Sequence, residues 1–246
     1  MAKISEKAVQ MPASAIRKLV PFADAAKKQG VKVYHLNLGQ PDIKSPVCAL
    51  DAVRNYSLEN VSYSHSAGLM ELRKGLVEKY YRKIGIDLTV DELIVTVAGS
   101  ESVNLALEIT CNPGDEVIVL EPFYTNYNTF AFMNGLTLKA IPTDIRNGFQ
   151  IPPIEEFEKA ITDKTKAILV CNPGNPTGTQ YSKESMLALG EIARKHDLFL
   201  LSDEVYREFC YTDKPHFSAM NIPGLEQNIV LIDSVSKRYN LCGARV

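Results

Sequence analysis

Lys237 stands in the run Ser234-Val235-Ser236-Lys237, and Gly243 and Arg245 follow it, the arginine eight residues past the lysine. These residue types in this order suit one task. A lysine amine can capture a carbonyl covalently, while serine hydroxyls and a guanidinium hold a phosphate so that the captured molecule cannot wander. The ligand this spacing implies is a phosphorylated aldehyde held as an imine. The bland alternative is a solvated surface lysine, charged and inert with a pKa of about 10.4.

Such a lysine needs a rigid frame, and the chain reads as one. Apolar runs alternate with helical periodicity: strands at Leu93–Val97, Glu116–Leu120, Leu136–Ile141, Lys166–Cys171, Leu198–Ser202 and Asn228–Asp233, and helices at Ser100–Cys111, Tyr124–Asn134, Pro153–Ile161 and Ser182–His196. Strands separated by helices imply right-handed crossovers and a mostly parallel sheet. Continuous apolar strands such as Ala167-Ile168-Leu169-Val170 imply helices on both faces of it, an α/β fold. Upstream, Pro12–Gly30 and Leu69–Ile84 read as helices stopped by Gly30 and Gly85, and Val33–Leu38 reads as a short strand. Pro41 and Pro46 bracket a polar turn, which suggests an N-terminal arm over residues 1–45 and a large α/β domain over 46–246.

Ligands in open α/β sheets gather beyond the carboxyl ends of the strands, and the chemically suggestive residues fall there. Ala98-Gly99-Ser100-Glu101 follows one strand and opens a helix, whose free N–H groups suit a phosphate; an ordinary serine N-cap is the alternative. Tyr124 follows Glu121-Pro122-Phe123 and on its own reads as a core aromatic. Asn175 lies in Asn172-Pro173-Gly174-Asn175-Pro176-Thr177-Gly178, a rigid turn that presents its amide at a fixed angle or is simply a turn. Asp203, in Ser202-Asp203-Glu204-Val205-Tyr206, reads as a helix cap or as a buried carboxylate facing a cation.

Taken together, these four strings resemble the class I/II aminotransferases, which use pyridoxal 5'-phosphate on the fold-type-I scaffold, and the resemblance runs from about residue 10 to the last residue. It implies a Schiff base on Lys237 and a phosphate held by Gly99, Ser100, Glu101, Ser234, Ser236 and Arg245, with the main chain of Glu101 facing it. It also implies Tyr124 on the pyridine ring, Asp203 against the ring nitrogen, and Asn175 and Tyr206 at the phenolic oxygen. Asn175 and Gly39 would touch the substrate carboxylate, and Tyr63 would reach the phosphate of a neighbouring subunit in a homodimer with shared sites. The N-terminal Ala15-Ile16-Arg17 and the Gly39-Gln40-Pro41-Asp42 turn resemble the aspartate aminotransferase branch, although many relatives carry Glu where this chain has Gln40. Aspartate and 2-oxoglutarate are therefore the expected substrates. A β C–S lyase of the same fold would share Lys237, Asp203 and Asn175, and a cofactor-sensing regulator is the remaining alternative. Relatives continue well past the position of Val246 into a small domain that supplies a carboxylate-binding arginine, so the chain reads as truncated, with its arm belonging to that small domain.

Bulk properties narrow the field. Over 246 residues, 46% hydrophobic and 23% charged content is that of a globular enzyme, and a net charge of -2 without charge blocks speaks against nucleic acid as a partner. Five scattered cysteines without a C-x-x-C pair suggest a reduced, cytoplasmic setting. The first twenty residues lack an apolar signal core, no stretch is long enough to cross a membrane, and the four dispersed histidines give no expectation of a metal.

Overall fold

The computed structural model describes residues 2–12, 14, 17–37, 39–57 and 59–246. Five strands form one sheet: β1 (Glu116–Glu121), β2 (Thr137–Pro142), β3 (Thr165–Cys171), β4 (Phe199–Asp203) and β5 (Ile229–Ile232). Their order is β2-β1-β3-β4-β5 and every pairing is parallel. The chain therefore leaves β1 first to one side and then to the other. A crevice opens at such a switch point beyond the carboxyl ends of the strands.

In sequence order, the helices are α1 (Glu6–Gln10), α2 (Val20–Lys28), α3 (Val47–Arg54), α4 (Met70–Gly75), α5 (Ala98–Thr110), α6 (Asn126–Met133), α7 (Ile154–Ala160), α8 (Lys183–Lys195) and α9 (Val235–Arg238). Strand side chains alternate between two cores. Val117, Val119, Ala167, Leu169 and Leu201 pack with Val103, Ala106 and Leu107 of α5 and Tyr127 and Ala131 of α6. Ile118, Leu120, Ile168, Val170 and Leu200 pack with Phe157 of α7 and Met186, Leu189 and Ile192 of α8. At Gly190 a Cβ would lie 2.6 Å from Ile222 Cγ2, so only glycine lets α8 approach that closely. The continuous apolar strands are thus explained: both faces are covered.

Four sequence expectations need correction. Val33–Leu38 forms no strand among its described residues; Tyr34 and Leu36 are exposed and the run lacks a partner, while Leu38 lies outside the described residues. Leu93–Val97 is extended but joins no ladder; Val95 N donates to Ala67 O (3.0 Å) at the turn of Gly68, where φ is +95° and a Cβ would meet Val95 Cβ at 2.6 Å. Leu69–Ile84 is not one regular helix: α4 passes into a π-turn (Leu76–Tyr80) and then a 3-10 turn (Tyr81–Ile84) before left-handed Gly85. The Pro12–Gly30 helix is shorter than its pattern suggests, with α2 starting at Val20 and Gly30 closing it at φ +80°. Of the Ala15-Ile16-Arg17 segment only Arg17 is described, in a 3-10 turn. No described residue before Arg73 is buried, so the core begins there and the arm carries its apolar side chains on the surface.

Candidate active site

The site forms where β1, β3, β4 and β5 end. α5 starts at Ala98, two residues earlier than its pattern suggests, and Ala98 takes φ +60°, a left-handed value that costs energy outside glycine. Ser100 is consequently inside the helix. The cap position is Val97, which makes no side-chain capping bond, so the first N–H groups of α5 lack a side-chain partner. Glu101 turns its carboxylate back on the chain to accept from Val97 N (2.5 Å). At Gly99 a Cβ would lie 3.3 Å from Val205 Cγ1 and 3.9 Å from Ser234 Cβ, so the α5 N-terminus abuts the Ser234 turn.

That turn follows β5 and leads into α9. Ser234 caps the helix through Ser236 N (3.1 Å) and donates to Ser236 Oγ (2.8 Å), and both serines are buried. Lys237 Nζ donates to Gly39 O (2.7 Å), so the amine already rests against the segment expected at the substrate carboxylate. Arg245 is exposed and donates to Cys242 O (2.7 Å). Its charge also reaches Tyr124, although burial dominates there and raises the phenol pKa.

On the opposite wall Asn175 Nδ2 donates to Tyr206 Oη (3.2 Å), and Gly39 comes within 3.7 Å of that oxygen, measured to a Cβ built on it. The turn bearing Asn175 is locked by Gly174 N to Thr179 O and Gly178 N to Gly174 O, both 2.8 Å, with Gly178 at φ +70°. Burial pushes the Tyr206 hydroxyl pKa up. Asp203 is buried on the α5–α6 side. Its Oδ2 accepts from Tyr127 Oη (2.6 Å) and its Oδ1 from Val205 N (3.3 Å), and because residues 205–208 form a turn, Asp203 caps no helix. Burial raises the Asp203 carboxyl to about 6, against the lowering effect of those two bonds. Tyr63 is fully exposed and bonds to none of these residues.

Two participants are absent from the sequence reading. Tyr127 holds Asp203, and its ring meets Tyr124 edge-on at 5.5 Å. Its only signal is that a tyrosine buried on an α/β helix needs a partner for its hydroxyl. Glu204, fully buried, accepts from Ser202 Oγ (2.9 Å), Ser218 Oγ (3.0 Å), Ala219 N (2.9 Å) and Arg207 Nη2 (2.5 Å), with His216 Nε2 at 2.7 Å. This carboxylate fastens the segment that carries Tyr206 to the end of β4. Among the described residues no cluster of three or more His, Cys, Asp or Glu could hold a metal, and no helix is long and apolar enough to cross a membrane.

A lysine, a buried acid, an anchored amide and phenol, and an uncapped helix end beside two serines thus stand at the carboxyl ends of the strands. Residues 31–246 match the family described as aminotransferase class I and II, and the chain belongs to that family. It is 36% identical over 246 residues to the putative aminotransferase YugH of Bacillus subtilis, covering 99% of this chain and 62% of that protein. It is 33% identical over 247 residues to the aspartate/prephenate aminotransferase of Thermus thermophilus, covering 100% and 63%. The aspartate aminotransferase structure from Thermotoga maritima superposes with a TM-score of 0.91 at 32% identity, covering 98% of this chain and 64% of that one. The fold is fold type I, and the chain spans a little under two thirds of the length of these relatives.

Proposed function

We propose that the protein is a pyridoxal 5'-phosphate-dependent aminotransferase that moves an amino group from an L-amino acid to a 2-oxo acid, with aspartate and 2-oxoglutarate as the pair. The observation that carries this reading is the geometry around Lys237: its amine meets Gly39, which borders Tyr206 and Asn175. Asp203, which ends β4, lies three residues before Tyr206.

The residues present fit the cofactor. Phosphate would lie between the uncapped start of α5 (Gly99, Ser100, Glu101) and Ser234 and Ser236, with Arg245 adding charge. A carboxyl whose ionisation is suppressed by burial gains most from a cation beside it, and a protonated ring nitrogen supplies one. When bound, pyridoxal phosphate supplies an electron sink that stabilises negative charge at the substrate α-carbon. The chain's own contributions are then distinct. Lys237 would hold the carbonyl covalently and would be the group placed to move a proton at the substrate α-carbon. Asp203, fixed by Tyr127, would keep the ring nitrogen protonated, and Tyr124, edge-on to Tyr127, would cover the ring face. Asn175 and Tyr206 would orient the phenolic oxygen, and Gly39 with Asn175 would receive the substrate carboxylate.

We further propose a cytoplasmic homodimer in which Tyr63 completes the phosphate site of the partner subunit; its complete exposure and the uncovered apolar residues of the arm support this. The choice of aspartate draws on relatives named for it and on a Thermus thermophilus structure titled as a complex with maleate, a dicarboxylate, at TM-score 0.88. The test is a donor panel on the full-length protein with pyridoxal phosphate and 2-oxoglutarate. Aspartate is expected to yield glutamate and oxaloacetate. Pyruvate and ammonia from a cysteine conjugate, without glutamate, would instead make it the lyase.

A further inference from the structure

α9 has only four residues, too few to hold a direction by its own hydrogen bonds. Something outside must fix it, because Lys237 is its third residue. The flanking residues do this. Asp233 immediately precedes Ser234, and Arg238 immediately follows Lys237. Arg238 Nη2 donates to both Asp233 oxygens at 2.8 Å, closing a ring of chain around Ser234, Ser236 and Lys237. Asp233 Oδ1 also accepts from Ser234 N (2.7 Å), and its Oδ2 accepts from Tyr81 Oη (2.9 Å). The two side chains are 5% and 9% exposed, so the pair is buried.

The guanidinium is held on its other side too. Its Cζ lies 4.1 Å from the Tyr80 ring centroid; Tyr80 Oη donates to Glu208 Oε1 (2.5 Å), and the same oxygen is 3.4 Å from Arg238 Nε. Consecutive tyrosines diverge on a regular helix, yet here both reach this one pair. The π-turn at Leu76–Tyr80 and the 3-10 turn after it make that possible, giving the departure from helical regularity a purpose.

We propose that Arg238 is a positioning residue that, clamped by Asp233 and Tyr80, sets the rotation of α9 and thereby aims the Lys237 amine into the crevice. This rests on the cofactor reading above, and goes beyond it in assigning a role to a residue that touches neither cofactor nor substrate. A guanidinium differs from lysine here: it stacks on the ring and shares one nitrogen between two oxygens, whereas an ammonium provides a point charge.

The experiment compares full-length wild type, Arg238→Gln, Arg238→Lys and Tyr80→Leu. It reads covalent capture of added pyridoxal phosphate at Lys237, trapped by borohydride and counted by peptide mapping, together with kcat, KM and the urea unfolding midpoint. Arg238→Gln is expected to slow capture and lower kcat by about 10²-fold, as a misplaced reacting group does, with KM changed far less. Arg238→Lys should recover part of both. Tyr80→Leu keeps the Asp233 pair and loses the stack together with the Tyr80–Glu208 hydrogen bond, so its effect should be about two- to fivefold, and it serves if Arg238→Gln does not fold. Capture and kcat at wild-type values, with only the unfolding midpoint lowered, would make Arg238 a structural brace and overturn the proposal. Absence of capture in wild type overturns the cofactor reading itself, a separate result seen in the same run.

Discussion

Asp203→Asn is expected to make the cofactor-free protein more stable at pH 7.5 while lowering transaminase turnover by about 10²- to 10³-fold, the scale of losing one preorganised charge contact. Asp203 is buried and its carboxyl is raised to about 6 by desolvation, so holding it ionised at neutral pH works against folding. Its folded pKa lies above the unfolded value. The associated stability is therefore complete below about pH 4 and is lost as pH rises through 6. A shift of this size corresponds to about 3 kcal/mol at pH 7.5. Asparagine removes the charge and can still accept from Tyr127 or Val205, the partners seen at 2.6 and 3.3 Å. The cofactor-free variant should melt several degrees higher at pH 7.5, and its stability should no longer decline between pH 4 and 6. A lower melting temperature at pH 7.5 would contradict the account, because it would mean the carboxylate is already compensated by the chain alone. Destabilised sites of this kind are where function and stability trade against each other.

Glu204→Ala is expected to show the opposite pattern next door. Burial opposes ionisation of Glu204, but His216 and Arg207 outweigh it and hold the carboxyl below its usual range. A depressed folded pKa gives stability that is present above the unfolded value of about 4.3 and lost as pH falls through the folded one. Adjacent carboxylates thus carry opposite pH slopes: Asp203 weakens the fold as pH rises, and Glu204 weakens it as pH falls. Removing Glu204 strands Arg207, whose side chain is 2% exposed and already has two nitrogens without partners. Breaking a buried pair from one side costs about 3–5 kcal/mol, a large share of the 5–15 kcal/mol that holds a domain together. Urea unfolding at pH 7 should show that loss for Glu204→Ala and a smaller one for Glu204→Gln, which keeps part of the hydrogen bonding. A midpoint within experimental error of wild type for Glu204→Ala would mean that the Ser202–His216 network is dispensable.

The sequence shows the sheet well because strands covered on both faces leave unbroken apolar runs, and β1, β3 and β4 lie within about a residue of where those runs predict. It misleads where a strand needs a partner that periodicity cannot reveal. Val33–Leu38 and Leu93–Val97 have strand composition, but among the described residues neither joins a ladder. The pattern of Leu69–Ile84 is helical throughout, and nothing in it shows the π-turn, which goes with tertiary contacts of Tyr80 with Arg238 and of Tyr81 with Asp233. Candidate site residues stand out where their chemistry is unusual, as with the Lys237 serines or Asn175 in its proline-rich turn. Tyr127 and Glu204 are not, since a tyrosine or glutamate becomes informative only once its burial is known.

The most direct test of the central claim is to add pyridoxal phosphate to the full-length protein, reduce with borohydride, and locate the modified peptide. A pyridoxyl group on Lys237, abolished in Lys237→Ala and present in Asp203→Asn, is the predicted result. A modification on another lysine, or none in the wild type, would contradict the assignment of this site.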